Sequence, residues 1–272
     1  HKVPLISPYQ AACEANDVRG VRMIHDHDLC CPTGNKYFRH NGRVCHHKAG
    51  WRCWADLGFL KKNPGSPLKV AWSGIGSKIA EMRANFQLDA LIVGSRFMRD
   101  ELLSNDCEPE RVHLLPPVVK LSLGRPPQSV STEPVILFVG QLIRGKGVDL
   151  LLHALSQVKG PFELRVIGAG NASDDLHVLA KQLGLEDRVR FLGWAPNAEL
   201  DAHYDSARLV VVPSRWPEPF GMVGLEAMMH GRPVVAFDVG GISDWLEDEV
   251  TGLLAPEQDK KAMASALDRL LA

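Results

Sequence analysis

No apolar run in the 272 residues approaches the roughly 18 to 20 that a membrane-spanning helix needs, which excludes a transmembrane helix from this sequence. An excess of either sign of charge is also lacking, with 31 Lys and Arg against 32 Asp and Glu. The net charge is −1, and no nucleic-acid partner is expected. Cysteine is absent after residue 107, and six in a chain of this length are too sparse for a disulfide scaffold. Reduced thiols in a cytoplasmic enzyme are the simpler reading. There is no internal repeat and no low-complexity tract. The first residue is His1 rather than Met, and no basic-then-apolar leader precedes the fold. The expectation is a chain that lost something at its N-terminus or starts within a longer protein.

What is present is ordinary for a globular protein: 45% apolar and 23% charged residues. The near-zero charge conceals an asymmetry. Residues 1–130 carry 18 Lys and Arg against 12 Asp and Glu, a net +6, and the remainder carries 13 against 20, a net −7. All six cysteines and seven of eleven histidines lie in the first part. Two domains with different tasks are expected. The basic part would face an anionic ligand or a membrane surface, or simply reflect surface drift.

From Pro134 onward, short apolar runs alternate with helical periodicity. The run Pro134–Val139 ends at Gly140 and suits a strand buried on both faces. Val148–Val158, with Leu151, Leu152, Leu155 and Val158 in phase, reads as the next helix. Further strands are expected at 162–167, 188–192, 209–212, 233–237 and 252–254, and helices at 173–183, 199–206, 221–230 and 258–271, with a short one near 243–247. Such alternation predicts right-handed βαβ units on one parallel sheet, with ligands at the carboxyl ends of its strands. The first part is patchier: strands at 21–24, 90–93 and 112–115, helices at 77–86 and 96–103, and a polar Cys/His-rich stretch from Cys30 to Trp54. The proline-rich stretch 116–133 reads as a linker, dividing the chain into a partial first domain (1–115) and a second (134–272).

Four glycine-bearing loops fall at the same predicted sheet edge. The densest motif is Pro213-Ser214-Arg215-Trp216-Pro217-Glu218-Pro219-Phe220-Gly221-Met222-Val223-Gly224-Leu225-Glu226-Ala227-Met228. A helix opening at Phe220–Gly221 offers free backbone N–H groups and a positive dipole end, a receptor for phosphate or sugar oxygens. Two carboxylates framing that end suit a ligand carrying both phosphate and hydroxyls; the alternative is an acidic N-cap plus a solvated glutamate. Gly140-Gln141-Leu142-Ile143-Arg144-Gly145-Lys146-Gly147 resembles a phosphate cradle, or an ordinary basic turn, but lacks the Walker order. Gly168-Ala169-Gly170 would need a third glycine at Ser173 to complete a dinucleotide fingerprint. Gly240-Gly241 adds a fourth flexible turn.

These residues resemble the retaining glycosyltransferases of family 4, with the GT-B fold. The resemblance runs from Val139-Gly140-Gln141 and Lys146-Gly147 through Gly168-Ala169-Gly170, Pro213-Ser214 and the Glu-x7-Glu element to Gly231-Arg232-Pro233, Gly240-Gly241 and Thr251-Gly252-Leu253-Leu254. It implies an α/β fold of two Rossmann-like domains with parallel sheets facing a central cleft, the first incomplete here. It also implies residue roles. Lys146 would pair with the donor diphosphate. Glu226 would bind the ribose hydroxyls. Glu218 and the amides of Phe220 and Gly221 would hold the sugar, with Met222 and Val223 near the phosphate. Gly140 and Gly168 would let the donor approach the backbone, and the loop from Trp194 and Ala195 to Asn197 would border the base. His25, after Val21–Ile24, matches the histidine that reaches the donor sugar; the alternative is a polar loop residue. Gln141 stands where the family usually has arginine, and Arg144 is the candidate to supply the missing charge.

The implied reaction is transfer of a hexosyl group from a UDP-, GDP- or ADP-sugar to a hydroxyl of a glycan, lipid-linked or small-molecule acceptor, as in polysaccharide biosynthesis. No cofactor is expected. No Asp-x-Asp pair stands in a loop suited to a catalytic metal. Cys30, Cys31, Cys45, His46, His47 and Cys53 invite a zinc reading, but without a paired Cys-x2-Cys arrangement a structural loop is preferred. A cytoplasmic location, with peripheral association at the inner membrane face, would fit such an enzyme. Two rivals remain: a non-catalytic nucleotide-sugar-binding module, and an NAD-dependent oxidoreductase resting on Gly168-Ala169-Gly170.

Overall fold

The computed structural model describes residues 6–38, 42–55, 60–62, 70–72, 74–118, 129 and 131–272. The chain forms two compact units, His1–Pro117 and Val118–Ala272.

In the first unit, helix α1 (Ile6–Ala15) precedes strand β1 (Val21–Ile24); helix α2 (Arg52–Ala55), strands β2 (Leu60–Lys62) and β3 (Val70–Trp72), helix α3 (Ile75–Asn85), strand β4 (Ala90–Val93), helix α4 (Arg96–Ser104) and strand β5 (Val112–Leu114) follow. Among the described residues, a parallel sheet of order β1-β4-β5 is accompanied by an antiparallel β2-β3 ribbon. Ile24, Leu91, Val93, Met98, Leu102 and Val112 form its core with Met82 and Phe86 of the α3 region. Ser95 caps α4, its hydroxyl accepting from Met98 N at 3.1 Å. Lys36, almost fully buried, ties the Cys/His-rich stretch down: its Nζ lies 2.6 Å from Glu101 Oε2 and donates to His47 O at 2.9 Å. No disulfide links the six cysteines. Burial pushes the Cys30 thiol well above its usual range. Among the described residues no three His, Cys, Asp or Glu side chains are grouped to hold a metal ion.

The second unit contains β6 (Val135–Val139), α5 (Val148–Leu155), β7 (Glu163–Ile167), α6 (Ser173–Gln182), β8 (Val189–Gly193), α7 (Asn197–Ser206), β9 (Leu209–Val212), α8 (Met222–Met229), β10 (Val234–Phe237), β11 (Gly252–Ala255) and α9 (Lys260–Leu271). Among the described residues its sheet has six parallel strands, in the order β11-β10-β9-β6-β7-β8. The central strands β9 and β10 are buried throughout, and β6 nearly so, as expected for a sheet covered on both faces. The chain steps outward from β6 to β8 and then crosses to β9 on the other side. The order therefore reverses between β6 and β9, and a crevice opens at their carboxyl ends. The helix expected near 243–247 is instead a 3₁₀ turn, Ile242–Asp244.

Two glycines set how closely the loops approach. Gly147, at φ +69°, would place a Cβ 1.9 Å from Pro213 O, so the β6 and β9 loops touch through bare backbone. Gly168, at φ +145°, would place one 1.8 Å from Gly140 O. Gly168→Ala is expected to cost about 3 kcal/mol through overpacking and backbone strain. Urea unfolding followed by tryptophan fluorescence checks this; a midpoint equal to wild type would show that the contact relaxes freely.

No helix among the described residues is long and apolar enough to cross a membrane.

Candidate functional site

The loops after β6 and β9 bring the sequence's strongest candidates together. Lys146 lies in the 3₁₀ turn Arg144–Lys146 that leads into α5. Its Nζ donates to Glu218 Oε1 at 2.7 Å and stands 5.3 Å from the centre of the Trp216 ring. Three donors converge on that one carboxylate oxygen: Lys146 Nζ, Trp216 Nε1 at 3.0 Å, and Ser214 Oγ. The Glu218 side chain is 6% exposed and that of Lys146 23%. Burial by itself would push the Glu218 carboxyl up, but Lys146, Ser214 and Trp216 outweigh it and hold it below the usual range. An ionised pair is thus fixed at the topological switch point.

Arg215, which the sequence did not single out, fastens this arrangement. Its guanidinium donates to Arg144 O at 2.7 Å and to both Asp149 carboxylate oxygens, at 3.2 and 2.6 Å. Backbone N–H groups of Arg215 and Trp216 donate to Gly145 O. The turn bearing Lys146 is thereby tied to the loop bearing Glu218.

Gly221 is the N-cap of helix α8, whose first residues Met222 and Val223 present their amides at the end where intrahelical partners are lacking. Trp245 seals this end: its Nε1 donates to Phe220 O at 2.5 Å, and its ring fills the space beside Gly224, where a Cβ would come within 1.9 Å of it. Glu218 also pairs with Gly240 in an isolated parallel bridge, and Gly241 N donates to Glu218 O at 2.7 Å. The Gly240-Gly241 turn therefore braces the carboxylate's backbone.

On α8, Glu226 Oε2 accepts from Tyr204 Oη at 2.7 Å. Farther along the sheet edge, a cavity of about 240 Å³ is lined by Gly140, Gln141, Gly168, Trp194, Ala195 and Asn197, among others, and Trp194 is 74% exposed. Gln141 and Arg144 are both exposed. In the first unit, exposed His25 directly follows β1, whereas His27 is buried edge-on to Phe97 with its Nδ1 3.6 Å from Cys30 Sγ. Of the two clustered histidines, His27 belongs to the core and His25 to the surface.

A parallel, doubly covered sheet with glycine loops and an ion pair at its switch point defines a Rossmann-like unit. The family described as "Glycosyl transferases group 1" matches residues 124–272. The chain belongs to this glycosyltransferase family, and its two α/β units are of the GT-B class. Among curated relatives, it is 38% identical over 187 residues to a D-inositol 3-phosphate glycosyltransferase of Frankia alni, covering 61% of this chain and 46% of that protein. It is 39% identical over 141 residues to an uncharacterized glycosyltransferase of Methanocaldococcus jannaschii, covering 51% of this chain and 36% of the relative. The chain spans about half the length or less of these relatives. Among solved structures, Anabaena HepE in complex with UDP superposes with a TM-score of 0.71 at 21% identity, covering 97% of this chain and 65% of that one. S. aureus TarM, solved with UDP and an α-GlcNAc-glycerol, gives 0.64 at 25% identity, covering 78% and 42%.

Proposed function

We propose that this chain is a hexosyltransferase, or the portion of one that handles the donor, moving a hexosyl group from a nucleoside-diphosphate sugar to an acceptor hydroxyl with retention of anomeric configuration. The observation that carries the reading is the Lys146–Glu218 pair, 2.7 Å apart, with Glu218 four residues ahead of α8. Lys146 and the helix amides would receive the diphosphate. As the sugar–phosphate bond breaks, negative charge grows on the leaving phosphate, and fixed positive groups there lower the barrier. Glu218 would exchange part of its contact with Lys146 for sugar hydroxyls. Exposed Arg144 would add the charge that Gln141 lacks. The cavity beside Trp194 would hold the base, and Glu226 the ribose. UDP and UDP-glucose are the ligands named for HepE, which favours a uridine donor. The acceptor is taken to be a glycan or a lipid-linked sugar, presented at the inner membrane face in the latter case.

Calorimetric titration with UDP, GDP, ADP and NAD tests this reading. One nucleoside diphosphate is expected to bind well and NAD not at all, with slow hydrolysis of the matching sugar nucleotide. Binding of NAD alone would return the site to the oxidoreductase reading. Donor binding without hydrolysis or transfer to any acceptor would leave a binding module.

A further inference from the structure

Glu226 is held by a buried tyrosine and the residues braced against it, an arrangement that its proposed role does not itself require. Tyr204, on α7, is 2% exposed, and its hydroxyl donates to Glu226 Oε2 at 2.7 Å. The Tyr204 ring stacks on His230, with centroids 5.1 Å apart and planes 19° from parallel. His230 follows the last residue of α8, and its Nδ1 lies 2.8 Å from Asp205 Oδ1 and its Nε2 3.4 Å from Asp201 Oδ1, both carboxylates belonging to α7. The two helices are thus cross-linked in both directions: Tyr204 of α7 reaches Glu226 of α8, and His230 beyond α8 reaches Asp201 and Asp205 of α7.

We infer that Tyr204 is a positioning residue that aims the Glu226 carboxylate at the donor's ribose hydroxyls. This rests on the reading of Glu226 as the ribose ligand. A glutamate side chain that must be ordered on binding spends part of its interaction energy on lost rotamer freedom. Fixing Oε2 sets the plane of the carboxylate and the direction of its other oxygen before the ligand arrives, as preorganised sites require. Tyrosine suits the task because burial and the adjacent Glu226 carboxylate push its ionisation far above the usual range, so it stays a donor. The His230 stack and the Asp201 and Asp205 contacts in turn hold the phenol in place. A tyrosine that only filled core volume would not need an oxygen directed at a partly exposed carboxylate.

The test compares UDP with 2′,3′-dideoxy-UDP, and GDP with its dideoxy analogue, by calorimetry on wild type, Tyr204→Phe and Glu226→Gln. Phenylalanine keeps the ring and its stack and removes only the donor. The expected result is about tenfold weaker binding of the ribonucleotide to Tyr204→Phe, the scale of one hydrogen bond to a charged group, with the dideoxy affinity unmoved and the melting temperature close to wild type. Equal weakening of both ligands, or ribonucleotide binding at the wild-type level while Glu226→Gln still loses it, would overturn the inference and leave the ribose reading standing. If Glu226→Gln shows no loss specific to the ribonucleotide, the ribose reading fails and the inference with it.

Discussion

Lys146→Ala is expected to lower the transfer or donor-hydrolysis rate by about 10² to 10³, the usual loss when one preorganised electrostatic donor is removed from a developing anion. The loss should fall mainly on kcat, because in the proposed reaction the charge that Lys146 would neutralise grows in the transition state. Binding should show the same locality: affinity for the nucleoside diphosphate drops, while affinity for the bare nucleoside holds. The variant also exposes the other half of the pair. Glu218 remains buried with Ser214 and Trp216 but without its cation, and breaking a buried pair from one side costs about 3 kcal/mol.

That stability cost has a pH signature. In wild type the Glu218 carboxyl is held below the usual range, so its contribution is complete above the ordinary glutamate pKa and is lost as pH falls through the lowered value. Without Lys146 the carboxyl titrates at higher pH, because burial still raises it and the cation no longer opposes. The stability gap between the two proteins is therefore widest at neutral pH and narrows as pH falls through the carboxylate range. Adding Glu218→Gln to Lys146→Ala should recover much of the stability and none of the rate. A pH-independent gap, or full activity in Lys146→Ala, would remove this pair from the mechanism.

Much of the second unit was legible because its central strands are buried on both faces. The apolar runs at 135–139, 209–212 and 234–237 are too short for buried helices, and glycine or proline punctuates their ends. The first unit was less so. Strands β2 and β3 have three residues each, too few for any period to register. Helix α1, Ile6–Ala15, has Pro8 in its first turn, which a helix tolerates but which masks the signal. The site divides in the same way. Lys146 stood out because a cation between glycines follows a strand end, and Glu218 and Glu226 because two carboxylates frame the start of a helix. Arg215 lay inside the quoted motif unremarked, and Tyr204 sits on a helix of weak amphipathic pattern 22 residues before its partner. Contacts between elements distant in sequence leave no local trace in composition or periodicity.

Glu226→Ala should produce the opposite kinetic pattern to Lys146→Ala. The ribose is remote from the bond that breaks, so its contacts are equally strong in the ground and transition states, and losing them is uniform binding energy lost. The donor KM is expected to rise by about 10²-fold, the upper range for hydrogen bonds to a charged group, with kcat within roughly threefold of wild type when donor is saturating. A stability effect accompanies it, since Tyr204 loses the acceptor for its buried hydroxyl, an orphaned donor costing about 1 to 3 kcal/mol. Combining Glu226→Ala with Tyr204→Phe removes that orphan and should restore most of the stability while leaving KM high. Steady-state kinetics over a wide donor range separates the cases. A drop in kcat matching that of Lys146→Ala would place Glu226 at the reacting centre rather than at the ribose.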